Sequence, residues 1–162
     1  EEIHAQKAFK QVRNQTNRQT NCDTANLGKT ARANAQTLRA IRYLQEKGFD
    51  YIQKKELELT QRAMEGLGAL PYVHILGSKD PANHTGIVSF TIDGVHPHDV
   101  SEILSSDGID VRAGHHCAQP LLEYLGVRSS TRASMMFYNT PEEIDALIES
   151  VSTIRRRMGY GE

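Results

Sequence analysis

Cysteine is almost missing from this chain: 162 residues include two, Cys22 and Cys117. They lie far apart in unlike surroundings, which argues against the dense disulfide framework of small secreted domains and fits a reducing cytoplasm. An excess of either charge is missing too, with 19 Lys plus Arg against 20 Asp plus Glu. That balance gives no electrostatic case for nucleic acid or an anionic membrane, so a small-molecule or protein partner is expected instead. No run approaches the roughly 20 apolar residues of a membrane span, and no basic stretch leads into an apolar signal core. Glu1 in place of an initiating methionine leads us to expect a processed, trimmed or excerpted polypeptide.

The remaining pattern describes one α+β layer. Residues 1–36 are polar, with Asn14 to Asn21 nearly devoid of apolar side chains, and read as an irregular or disordered segment ahead of a domain over 37–162. Helical spacing starts at Leu38, Ile41 and Leu44 and stops at Gly48; a second helix from about Tyr51 to Leu67 is expected to bury Leu57, Thr60, Met64 and Leu67. Val73 and Ile75 alternate briefly, and the run from Gly86 to Asp93 sets Val88, Phe90 and Ile92 on one face of a strand. After Pro97 a helix carries Val100, Ile103 and Leu104, and a short strand over 109–112 follows. Leu121, Leu122 and Leu125 form a short helix, and residues 131–136 a further strand. Thr140, Pro141 and Glu143 spell a capping box before the stripe Ile144, Leu147, Ile148, Val151 and Ile154. Short strands mixed with helices, without a sustained strand–helix–strand repeat, imply a small mixed or antiparallel sheet covered by helices.

The chemistry concentrates in Arg112-Ala-Gly-His-His-Cys-Ala-Gln-Pro120. A thiol becomes nucleophilic when neighbouring cations and helix N-terminal amides favour its thiolate; Arg112, His115, His116 and the helix opened by Pro120 would supply both. Two other readings stay open at this point. Cys117 reads equally as a small buried hydrophobe. A metal site using His98 with one residue of this segment is the other, although three consecutive ligands His115, His116 and Cys117 would point to alternate faces of an extended chain. Arg132, in Ser130-Thr-Arg-Ala-Ser134, is an arginine among small residues on a strand. It suits either a bidentate grip on a carboxylate or a structural ion pair with Glu123 or Glu142.

The cysteine segment, followed by Thr131-Arg-Ala-Ser134 and Tyr138-Asn-Thr-Pro-Glu-Glu-Ile-Asp145, resembles the C-terminal part of cysteine desulfurases of the SUF type over about residues 37–158. These are pyridoxal-phosphate enzymes of the class-V aminotransferase group, and the resemblance implies the C-terminal domain of fold-type I enzymes. It also implies a reaction in which L-cysteine yields alanine and a persulfide for iron–sulfur cluster assembly, in a homodimer. Cys117 matches the persulfide-bearing cysteine, Arg132 the arginine that holds the substrate carboxylate, and Arg112 an arginine at the site entrance. His115 and His116 take supporting roles. His98, in His96-Pro-His-Asp99, matches a histidine that meets the sulfur acceptor, a small zinc protein in some members.

The departures from that pattern set further expectations. None of the lysines, Lys7, Lys10, Lys29, Lys47, Lys54, Lys55 and Lys79, stands in a Ser-x-His-Lys type segment, so pyridoxal phosphate is expected in the complete enzyme and not on this chain alone. The family's Gly-Thr-x-Asn segment has only Thr24-Ala-Asn26 and Leu27-Gly-Lys-Thr30 near its place. The alternatives are a selenocysteine lyase, a non-catalytic sulfur carrier or partner-binding module lacking the cofactor domain, and a structural zinc module.

Overall fold

The structure is a computed structural model that describes residues 27–160, with side chains from residue 35 onward. It divides into two compact units, Glu1–Lys47 and Gly48–Glu162. In the first, helix α1 spans Leu27–Lys47, so residues 27–36, expected to be irregular, are helical. Ala31, Ala33 and Ala35 explain the early start: alanine loses little entropy in a helix even where no apolar stripe marks one. The polar run 14–21 and Cys22 lie outside the described residues.

The second unit is a two-layer α+β fold. Helix α2 (Phe49–Gly68) buries Ile52, Leu59, Thr60, Ala63, Met64 and Leu67. Leu57, expected in that stripe, is 42% exposed. At 100° per residue it falls about 90° from the centre of the buried arc, on its margin. Strands β1 (Val73–Leu76), β2 (Ile87–Ile92), β3 (Arg112–Gly114) and β4 (Ser130–Ser134) form one sheet. Its order is β1-β2-β4-β3, and all three pairings are antiparallel.

Alternation sends Val88, Phe90, Ile92 and Ala133 into a single core with α2, with α3 (Pro97–Ser106) through Val100 and Leu104, and with α5 (Pro141–Arg157) through Ile144, Leu147, Val151 and Ile154. The opposite sheet face carries Ile87, Ser89, Thr91 and Arg132, half-buried or exposed. Gly66 lies where α2 meets α5: a Cβ there would collide with the Ile148 side chain. The capping box of α5 forms as expected, with Thr140 accepting from the Glu143 N–H and Glu143 accepting from the Thr140 N–H.

Two boundaries moved. Ile109 and Val111 were expected on a strand but pack half-buried against the core ahead of β3, where the Ser101 hydroxyl donates to the Val111 carbonyl at 3.4 Å. Their apolar character reflects burial beside α3, not ladder pairing. β4 stops at Ser134, after which the Met135 N–H donates to the Gly86 carbonyl at 2.6 Å. Polar contacts tie down the basic end of α5. Arg155 donates to the Asp93 carbonyl at 2.6 Å and covers the Tyr72 ring, and Arg157 pairs with Asp107 at 2.5 Å. No described helix is long and apolar enough to cross a membrane.

Candidate active site

β3 ends at Gly114, and the chain turns through His115-His116-Cys117-Ala118 before α4 (Gln119–Tyr124). The Ala118 N–H donates to the His115 carbonyl at 2.8 Å, closing a four-residue turn. Its central residues both have positive φ, His116 at 54° and Cys117 at 58°, the signs of a type I′ turn. Neither is glycine or asparagine, so each placement costs about 1–2 kcal/mol and must be held by its surroundings.

This turn presents Cys117 to solvent as a free thiol, which removes the reading of it as a buried hydrophobe. Arg112, at the start of β3, points Nη2 at Cys117 Sγ from 3.8 Å. Pro120 lies in the first turn of α4 as expected, but α4 has only six residues, under two turns, so its dipole is a small influence. His115 is exposed.

His116 departs from its expected part as a cation. Nε2 sits 3.0 Å from both the Ser130 carbonyl and Ser130 Oγ. A carbonyl only accepts, so Nε2 carries the hydrogen. Burial, followed by the charges of Arg132, Arg112 and His115, lowers the ring's pKa from its ordinary 6.5, against the opposing pull of the Ser130 hydrogen bond. The ring is neutral at pH 7 and cannot lend a positive charge to the thiol.

Arg132 is the direct ladder partner of Arg112 on one side and of Ser89 on the other, so the three residues form a row across the open sheet face. Its Nε is enclosed and has no hydrogen-bond partner among the described residues. Among the described residues Arg132 has no ion pair either, and the Glu123 or Glu142 bridge does not form; Glu123 instead accepts from Gln119 at 3.0 Å. A guanidinium shielded at Nε and unneutralised beside a second one attracts anions, and a planar carboxylate would match its fork.

His98 is the second residue of α3 and is exposed. Its ring stacks on His96, centroids 5.3 Å apart, and its backbone N–H donates to His96 Nδ1 at 3.3 Å. Among the described residues no hydrogen bond or ring contact joins it to the Cys117 turn, and no group of three or more His, Cys, Asp or Glu is placed to hold a metal ion. The described contacts around Cys117 and Arg132 involve no lysine. Among the described residues the site brings together a thiol and two guanidinium groups.

The aminotransferase class-V family model matches residues 8–147, and the chain belongs to that family. It is 46% identical over 121 residues to a probable cysteine desulfurase of Halalkalibacterium halodurans, a stretch covering 75% of this chain and 29% of the relative. A probable cysteine desulfurase of Staphylococcus aureus is likewise 46% identical, over 122 residues, with the same coverage. Among solved structures, the apo cysteine desulfurase of Thermococcus onnurineus superposes with a TM-score of 0.69 at 38% identity, over 72% of this chain and 29% of that one. An Escherichia coli cysteine desulfurase in an S-sulfonic acid form gives 0.59 at 33% identity, over 65% of this chain and 25% of that one. The chain thus spans somewhat under a third of the length of the curated relatives it matches.

Proposed function

We propose that this chain is the small C-terminal part of a SUF-type cysteine desulfurase, bearing the sulfur-accepting thiol and the substrate-carboxylate clamp. The observation that carries this reading is the pairing of an exposed Cys117, 3.8 Å from Arg112, with the unneutralised Arg132 on the next strand. Arg132 grips the carboxylate of L-cysteine, and Arg112 faces the negative charge that Cys117 carries as thiolate or persulfide. The Cys117 thiolate attacks the substrate sulfur; the Sγ–S bond forms, the Cβ–S bond breaks with its electron pair passing to the substrate, and protonation there completes alanine. Thiol plus cysteine thus become persulfide plus alanine, with no outside oxidant. Pyridoxal phosphate, held by the rest of such a protein, supplies the electron sink that makes the Cβ–S bond labile.

The full enzyme in this reading is a cytoplasmic homodimer feeding iron–sulfur cluster assembly. The exposed His98 meets its acceptor, a small zinc protein. A pure sulfur carrier is the weaker reading, because a carrier has no use for the Arg132 grip.

A chimera tests the proposal: residues 38–158 of this chain replace the matching segment of the Halalkalibacterium relative. Alanine release from L-cysteine is expected, with loss on Cys117→Ser and on Arg132→Ala. Undiminished turnover by the Cys117→Ser chimera in the presence of an acceptor would remove Cys117 from the reaction.

A further inference from the structure

Two consecutive non-glycine residues with positive φ need an anchor, and the Ala118 to His115 bond lies within the turn itself. The anchor outside the turn is His116, whose Nε2–H reaches the Ser130 carbonyl and hydroxyl, each at 3.0 Å. Ser130 is fully buried and stands two residues before Arg132 on the same face of β4. The other ring nitrogen, Nδ1, is enclosed and without a hydrogen-bond partner among the described residues.

We propose that His116 is a positioning residue: as a neutral ring it clamps the cysteine turn to β4, holding Cys117 against Arg112 and in register with Arg132. This rests on the reading of Cys117 as the sulfur acceptor, since the clamp fixes the distance between the nucleophile and the group that grips the substrate. Enclosure of Nδ1 favours the neutral ring. Protonation would put a second N–H on the enclosed Nδ1, where no acceptor waits. The charges facing it, Arg132 from β4, Arg112 from β3 and His115 from the turn, all oppose a cation there. The clamp is therefore complete at neutral pH and is weakened as acid protonates the ring, below the ordinary histidine value of 6.5, because the added charge at the enclosed Nδ1 is unfavourable even though Nε2 keeps its hydrogen.

The test uses the full 162-residue chain as wild type, His116→Gln and His116→Ala. It follows the Cys117 13Cα and 13Cβ shifts, the His116 ring 15N shifts and amide exchange at Ala118, with thermal unfolding as the check on global folding. The wild type is expected to show the Nε2–H tautomer and left-handed Cys117 shifts at neutral pH. His116→Gln, whose amide nitrogen lies close to the place of Nε2, keeps those shifts. His116→Ala loses them and exchanges Ala118 roughly tenfold faster, as expected for one lost hydrogen bond. In the wild type the same loss follows ring protonation, whereas in His116→Gln it does not follow pH. Unchanged Cys117 shifts in a folded His116→Ala, or a wild-type turn indifferent to ring protonation, overturn the proposal. Should His116→Ala not fold, the wild-type titration against His116→Gln decides alone. No substrate is present, so a failed clamp leaves the sulfur-acceptor reading standing, and an inactive chimera leaves the clamp standing.

Discussion

Arg112 and Arg132 are direct partners across the β3–β4 ladder, with no carboxylate paired to Arg132 among the described residues. Like charges in such a position cost about 0.2–1 kcal/mol, a cost an anion removes. Small carboxylates such as acetate are expected to raise the thermal midpoint of the chain above that in chloride at equal ionic strength. A ligand at ten times its Kd stabilises by about 1.4 kcal/mol. Arg132→Gln is expected to abolish the carboxylate-specific shift while raising the midpoint slightly in its absence. Equal midpoints for wild type in acetate and chloride would mean that the arginine pair holds no carboxylate.

Gly66 faces the Ile148 side chain where α2 meets α5. In an open helix interior Gly→Ala stabilises by about 1 kcal/mol; here the new methyl meets the Ile148 side chain, and overpacking costs typically about 1–3 kcal/mol. Gly66→Ala is expected to destabilise the wild type yet to be neutral or stabilising on an Ile148→Ala background. Chemical denaturation of the four proteins in that cycle reads the sign change. Equal effects in both backgrounds would show that α5 yields freely to the added methyl.

What could be read from sequence was what is local. Thr140, Pro141 and Glu143 lie within one turn, and their capping chemistry gave the start of α5 to the residue. The alternation of Val88, Phe90 and Ile92 gave the buried face of β2 because burial is imposed every second residue. The cysteine segment stood out because its residue types are rare together. The strand order β1-β2-β4-β3 was not legible, since β3 is only Arg112-Ala113-Gly114 and its partner is chosen by the whole core. The neutral state of His116 was hidden for the same reason. It depends on burial and on the arginines brought beside it by the sheet, against the pull of a backbone carbonyl 14 residues away, so a histidine beside a cysteine looked like a cation.

The capping box should carry a measurable share of the stability of α5. Thr140 accepts the Glu143 N–H at 3.3 Å, and the Glu143 carboxylate accepts from the Thr140 N–H at 3.0 Å and from Asn139 at 2.9 Å. Replacing an N-cap threonine by alanine costs about 0.5–2 kcal/mol. Thr140→Ala is expected to lie in that range by urea denaturation, and Thr140→Ser close to wild type. A Thr140→Ala protein as stable as wild type would mean that packing of Ile144 and Leu147 alone fixes the helix start.

Asp107 gathers three donors at the end of α3: Arg157 at 2.5 Å, the Ser150 hydroxyl at 2.5 Å and the Ser106 hydroxyl at 3.5 Å. The Arg157 hydrogen bond first, then that of Ser150, holds its carboxyl below the ordinary 3.8. A carboxylate whose pKa is depressed by folding binds its proton more readily in the unfolded chain. Its contribution is therefore complete above the unfolded value and is lost as pH falls through the folded one, a window lying below about 4. The pair is partly exposed, so salt weakens it. Thermal midpoints of wild type and Asp107→Asn should differ at pH 6 and converge as the pH is lowered beneath that window, and the gap at pH 6 should shrink in high salt. A gap that persists at the lowest pH would assign the effect to the shape of the helix end rather than to the charge on Asp107.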